Sequence, residues 1–143
     1  MNKSGPRYCL VLGAAGFIGR HAAHALSQND FCVLALGHGA LSIDEMAEWG
    51  ISEWLSADIA SHSLDELVQD RQVEAVIHCG GSASVAFSFK YPRKDFDRSV
   101  SSTRVVLDWI QGRRWTNCRF ILLSSAAVYG SQNQSYLSEN SPV

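Results

Sequence analysis

Three glycines set the chemistry that this chain can offer. Gly13, Gly16 and Gly19 follow a short apolar run, Tyr8 to Leu12, long enough for a buried strand. After them Ile18, Ala22, Ala25 and Leu26 recur at i, i+4, i+7 and i+8, which is one face of a helix. In a strand–turn–helix of this kind Gly13 allows a tight turn and Gly16 withholds the Cβ that would block a pyrophosphate. Gly19 lets helix and strand approach closely. The first N–H groups of a helix lack backbone partners and carry roughly half a positive charge, so they suit an anion. Spacing and context together predict a phosphate-binding turn.

The elements that must hold this turn can be read along the chain. Phe31 to Leu36 predicts a second strand, ended by Gly37-His38-Gly39. Ser42 and Glu45 have capping-box spacing and predict a short helix to about Trp49. Ile51 to Leu55 is a third strand, left through Ala57-Asp58-Ile59. Ser63 and Glu66 repeat the capping-box spacing and predict a helix through Val68. Val73 to His78 and Arg119 to Leu123 give the fourth and fifth strands. Between them Phe96, Val100, Thr103, Leu107 and Ile110 mark one face of a long helix from Arg93 to Gln111, with Val105 and Trp109 on another face. The polar tail from Ser131 to Val143 reads as a loop. Strands alternating with helices across short joins predict a parallel, doubly wound α/β sheet of about five strands.

Ligands of such a sheet sit beyond the carboxyl ends of its strands. Those ends carry Gly13 to Gly19, Gly37-His38, Asp58-Ile59, Cys79-Gly80-Gly81 and Ser124-Ser125, and small residues on one rim leave room for a long flat ligand. The bulk properties remove other classes. Twelve basic residues against 14 acidic ones leave no electrostatic footprint for nucleic acid. The apolar runs fall well short of the roughly 20 residues that span a bilayer, and Met1 to Arg7 lacks the apolar core of a signal peptide. Cys9, Cys32, Cys79 and Cys118 have no Cys-x-x-Cys spacing and read as buried reduced thiols, so a cytoplasmic domain is expected. His21 and His24, at i and i+3, are explained by a solvated helix face.

Taken together, Gly13-Ala14-Ala15-Gly16-Phe17-Ile18-Gly19, Asp58-Ile59, Val76-Ile77-His78-Cys79-Gly80-Gly81 and Ser124-Ser125-Ala126-Ala127-Val128-Tyr129-Gly130 carry a resemblance. The chain resembles the N-terminal part of the extended short-chain dehydrogenase/reductase family, the NAD-dependent epimerase/dehydratase group acting on nucleotide sugars. The resemblance implies a Rossmann-like domain over residues 1–143 and NAD or NADP as cofactor. Gly13, Gly16 and Gly19 would hold the pyrophosphate, with N–H groups from Phe17 and Ile18. Asp58 and Ile59 would meet the adenine, while Cys79, Gly80 and Gly81 would line the nicotinamide-ribose channel beside Ser99 and Ser124. Ser125 matches the family's catalytic Ser/Thr, whose hydroxyl bonds the sugar hydroxyl as it is oxidised.

Three positions depart from the family pattern. The family's catalytic tyrosine stands four residues before a lysine, but the lysines here are Lys3, Lys90 and Lys94, and none follows a tyrosine at that spacing. That motif is expected beyond Val143, together with the region that binds the nucleotide sugar, so the chain alone is expected to lack turnover. Gly37 and His38 stand where NAD-specific members carry an acid, with Arg20 the one basic side chain that could reach a 2′-phosphate. Ser99 replaces the usual Asn, and Ala83 offers no lysine for the ribose. The resemblance further implies a homodimer through the helix from Arg93 to Gln111, for which Val105 and Trp109 would supply the contact. The alternative function is a non-catalytic NAD(P)-binding sensor or scaffold of the same fold.

Overall fold

A computed structural model describes residues 5–82, 84–130 and 136–142; Met1 to Ser4, Ala83, Ser131 to Ser135 and Val143 lie outside them. Five strands form one parallel sheet: β1 (Arg7–Leu12), β2 (Phe31–Gly37), β3 (Ile51–Ser56), β4 (Val73–His78) and β5 (Arg119–Leu122). Their spatial order is β3-β2-β1-β4-β5, so the chain runs outward from β1 in one direction, then returns to β1's other edge. The register pairs Leu12 with Leu36 on one side and with His78 on the other, which aligns three carboxyl ends.

Strand alternation divides the core between the two faces. Leu10, Leu12, Leu34, Leu36 and Val76 face one way and are buried with Leu64, Leu67, Val68, Val106 and Trp109. Val11, Val33, Ala35 and Ile51 face the other way, with Ala14 and Ala23. Helices α1 (Phe17–Ser27) and α2 (Ile43–Glu48) serve the second face, α3 (Ser61–Val68) the first. The sheet is therefore doubly wound, as expected.

The Ser42 capping box forms: Ser42 Oγ accepts from Glu45 N–H at 3.2 Å, and Glu45 Oε2 accepts from Ser42 N–H at 2.8 Å. The Ser42 N–H and O–H both donate to the Glu45 carboxylate and hold that carboxyl below its usual range. The second expected box does not form. Helix α3 starts three residues earlier, after Ala60, and Ser63 is buried inside it. Ser63 is 2% exposed and packed within the helix, so its hydroxyl does not stand at an open helix start to cap it.

The segment expected as one helix from Arg93 to Gln111 is more elaborate. An unforeseen helix α4 (Val85–Lys90) is followed by α5 (Pro92–Phe96), a π-helical turn (Asp97–Ser101) and α6 (Ser102–Gly112). The face marked by Phe96, Val100, Thr103, Leu107 and Ile110 is not the buried one, although Ile110 packs against the core. Phe96, Val100 and Leu107 face solvent, while Ser102, Val106 and Trp109 face the sheet, and Val105 packs beside them. Trp109 is 6% exposed, and its Nε1–H donates to Asp65 Oδ1 at 2.8 Å. Arg113 reaches the same oxygen at 2.6 Å, and the two donors hold the Asp65 carboxyl below its usual range. Trp109 is thus a core residue, not a free contact for a second copy.

This assignment has a direct test. Trp109→Ala should cost about 3–5 kcal/mol of unfolding free energy, as for a buried aromatic, and Leu107→Ala, at 46% exposure, about 0.5 kcal/mol or less. Urea unfolding of both variants measures the difference; comparable losses would put the wrong face against the sheet.

Candidate functional site

The site grows from the end of β1. Gly13 turns the chain at φ +79°, and a Cβ there would lie 2.6 Å from Gly80 N. A Cβ on Gly19 would lie 2.3 Å from Gly13 O, so the first turn of α1 rests directly on the backbone of the turn that leaves β1. Both positions admit only glycine because backbone meets backbone. Gly16 is the N-cap of α1 and supplies no side-chain bond to the helix, and no acid stands in the first turn. The N–H groups at that end therefore face no competing carboxylate from their own helix.

Neighbouring strand ends are stitched to this turn. Gly13 and Ala14 N–H donate to Leu36 O at 2.7 and 3.2 Å, and Cys79 N–H donates to Leu12 O at 2.9 Å. Ala57 N–H donates to Gly37 O at 3.0 Å, and Leu123 N–H to His78 O at 3.2 Å. All five carboxyl ends are thereby held in one rim. Above the rim runs a cleft of about 840 Å³ lined by the Gly13–Gly19 turn, Gly37, His38, Asp58, Ile59 and Cys79 to Gly81. Asp97, Arg98 and Ser102 close its far end.

Ten of the site residues expected from sequence meet in this cleft: Gly13, Gly16, Phe17, Ile18, Gly19, Asp58, Ile59, Cys79, Gly80 and Gly81. Ile59 lies against Gly80, where a Cβ would be 2.9 Å from its Cδ1. Ser99 stands behind the lining, its Oγ accepting from Ser82 N–H at 3.2 Å, so it braces the loop after Gly81. Ser124 and Ser125 also stand outside the lining, exposed beyond β5. Ser125 caps a single 3₁₀ turn (Ala126–Tyr129), its Oγ accepting from Ala127 N–H at 3.2 Å. The position of Ala83 lies outside the described residues.

Asp97 and Arg98 were not foreseen. The π-helical turn holds them at the cleft, and an even helical repeat gives no sign of such a turn. Arg98 also rests on the Phe87 ring, 4.7 Å from its centroid, which joins α4 to this wall.

Two further expectations are refined. His21 Nδ1 and His24 Nδ1 lie 2.7 and 3.1 Å from the carbonyls of Phe17 and Glu48, and both rings flank Trp49. Cys9 is buried, its thiol pushed up to about 11 by burial, whereas Cys32, Cys79 and Cys118 are half-buried. None of the helices among the described residues is long and apolar enough to cross a membrane.

A three-glycine turn at the switch between β1 and β4, under a cleft on the carboxyl rim, defines a Rossmann-type fold. The model of the NAD dependent epimerase/dehydratase family matches residues 9–143, and the chain belongs to that family. A putative UDP-glucose 4-epimerase of Methanocaldococcus jannaschii is 33% identical over 139 residues, covering 94% of this chain and 43% of the relative. UDP-glucose 4-epimerase of Klebsiella pneumoniae is 30% identical over 130 residues, covering 86% of this chain and 92% of that sequence. The Bifidobacterium longum UDP-glucose 4-epimerase, solved with NAD+ and UDP, superposes with TM-score 0.81 at 25% identity. The match covers 94% of this chain and 42% of that one. The Brucella ovis UDP-glucose 4-epimerase, solved with NAD, gives 0.79 at 28% identity, over 95% of this chain and 41% of that one. This chain thus spans well under half the length of most of these relatives.

Beneath the cleft lies His78, 1% exposed, with Nε2 3.5 Å from Ser102 Oγ and its ring edge-on to Phe120. Burial lowers its pKa below the ordinary 6.5. The unfolded chain then binds a proton that the folded chain refuses, so stability holds above pH 6.5 and falls as pH drops toward the folded value. The carboxyls of Asp65, Glu45 and Glu74 are lowered too, and they act only in a more acid range. Urea midpoints measured from pH 7.5 to 5.5 should fall for the parent and stay nearly level for His78→Asn; equal slopes would refute the assignment.

Proposed function

We propose that this chain binds a nicotinamide dinucleotide along the cleft, as the cofactor-holding part of a UDP-sugar 4-epimerase. The observation that carries the reading is one continuous cleft floored by backbone. It joins the Gly13–Gly19 turn, where a Cβ on Gly13 or Gly19 would collide with main chain, to Asp58-Ile59 and Cys79 to Gly81. An extended, flat ligand with a charged middle suits such a floor. Gly16 leaves the approach to the α1 N-terminus open, and the N–H groups of Phe17 and Ile18 would meet the pyrophosphate. Asp58 would accept from the adenine amine, and Ile59 would pack on its ring. The Cys79 to Gly81 loop, braced by Ser99, would line the nicotinamide ribose.

When bound, the cofactor supplies a reversible hydride acceptor. The protein's share is positioning and proton handling. Ser125 Oγ already accepts from Ala127 N–H, which leaves its O–H to donate toward a sugar oxygen beside the end of β5. No tyrosine among the 143 residues has a lysine four places on, so the proposal assigns this chain no general base. A homodimer through the 93–111 segment, also part of this reading, would have to use the exposed Phe96, Val100 and Leu107, since Trp109 is buried.

Gly16→Val tests the site. Its backbone, φ −76° and ψ 166°, suits valine, but the branched side chain would fill the anion's approach. Titration calorimetry with NAD should give a loss of about tenfold or more relative to the parent, about 1.4 kcal/mol. Equal affinity in parent and variant would remove the assignment.

A further inference from the structure

The adenosine end of the cleft departs from the rule by which such sites choose between the two nicotinamide dinucleotides. In NAD-selective sites a carboxylate near the end of the second strand accepts from the ribose hydroxyls and repels a 2′-phosphate. Here that position is Gly37. A Cβ there would lie 2.8 Å from Trp54 Cη2 and 3.3 Å from Ala15 N. The indole is not free to swing aside: its Nε1–H donates to Gly39 O at 3.2 Å, and its ring packs against the cluster of Val33, Ala35 and Ile51. Trp54 therefore occupies the room that an acidic side chain at position 37 would need.

The next residue is His38, which lines the cleft with its side chain 77% exposed. Its Nε2 lies 3.3 Å from Asp58 Oδ1 across the β2 and β3 ends. An imidazole can donate or accept, so it can bond either a ribose hydroxyl or a phosphate oxygen, whereas a carboxylate can serve only the hydroxyl. The surrounding charges are mixed: Arg20 favours a phosphate, while the Asp58 carboxylate beside His38 opposes one. Arg20 on α1 donates through Nη2 to Ala15 O at 2.7 Å, and Ala15 itself borders Gly37, so a guanidinium flanks this strand end. Glu45 of α2 is turned to its own helix start, accepting from Ser42 N–H and O–H, both at 2.8 Å. Asp58 is engaged by His38.

Resting on the reading that the cleft holds a nicotinamide dinucleotide, we propose that this chain accepts NADP as well as NAD. His38, in place of a carboxylate, meets the 2′-position of the adenosine ribose. Selectivity is absent because Trp54 closes position 37 to any acid and the exposed residue beside it is neutral or cationic.

Titration calorimetry with NAD and with NADP, on the parent and on His38→Asp, tests this. Position 38 is exposed, so the variant should fold, and circular dichroism checks that it does. The parent should hold NADP within about tenfold of NAD, and His38→Asp should raise the NAD-to-NADP affinity ratio by about tenfold or more, the scale of like-charge juxtaposition. A parent that holds NADP more weakly than that limit overturns the inference while NAD binding keeps the cofactor site standing. A ratio unmoved in His38→Asp likewise overturns it. If folded parent binds neither dinucleotide, the cofactor-site reading itself fails, and the two failures are distinguishable.

Discussion

Backbone meeting backbone at the head of β1 is the constraint on which the rest depends. Gly13 abuts Gly80, and Gly19 abuts Gly13, at distances that exclude any side chain. That contact lowers the rim between β1 and β4, the two strands at which the chain reverses its direction of travel across the sheet. It also aims the start of α1 into the cleft so formed. A methyl group at either glycine would force the turn away from the β4 loop or the helix away from the strand. The hydrogen bonds from Gly13 to Leu36 and from Cys79 to Leu12 extend the same constraint to three strand ends. The cleft is a consequence of how closely these segments can approach.

The two faces of the sheet are supported unequally. The face built from Leu10, Leu12, Leu34 and Leu36 is covered by α3 and α6, and Trp109 anchors that layer to Asp65. The opposite face is made of smaller residues under α1 and α2, which lets the glycine-rich start of α1 lie close to the strands. Beyond β4 the cover thins: Ile121 and Leu122 on the edge strand β5 are about half exposed. Edge strands with exposed apolar residues are open to pairing and packing by other segments.

Much of this was legible in the residues. The glycine spacing, the apolar runs and the Ser42 box each rest on local chemistry, and each appears where it was expected. The helical face over β4 was not legible, for a physical reason. Near the cleft the sheet-facing positions must be small, and they are Ser99 and Ser102, while the large apolar residues Phe96 and Val100 fall outside. A search for hydrophobic periodicity follows the large residues and therefore chooses the wrong face. The π-helical turn adds to the error by shifting the repeat midway. Helix α4 buries none of its residues, so it leaves no stripe to read. The part of Trp54 at the adenosine end was hidden for another reason: it depends on the β2–β3 register, which pairs Ala35 with Trp54 and sets the indole beside Gly37.

The central claim is that one contiguous set of backbone amides, spread over three strand ends, forms the dinucleotide site. Amide shift mapping by ¹⁵N-resolved NMR during a titration with NAD addresses it most directly. The account predicts saturable shifts concentrated at Gly13 to Gly19, at Asp58 and Ile59, and at Cys79 to Gly81, with Gly112 and Asn117 at the opposite end of the sheet unmoved. Shifts confined to one of these segments, or centred on the surface of α4 and α5, would contradict it.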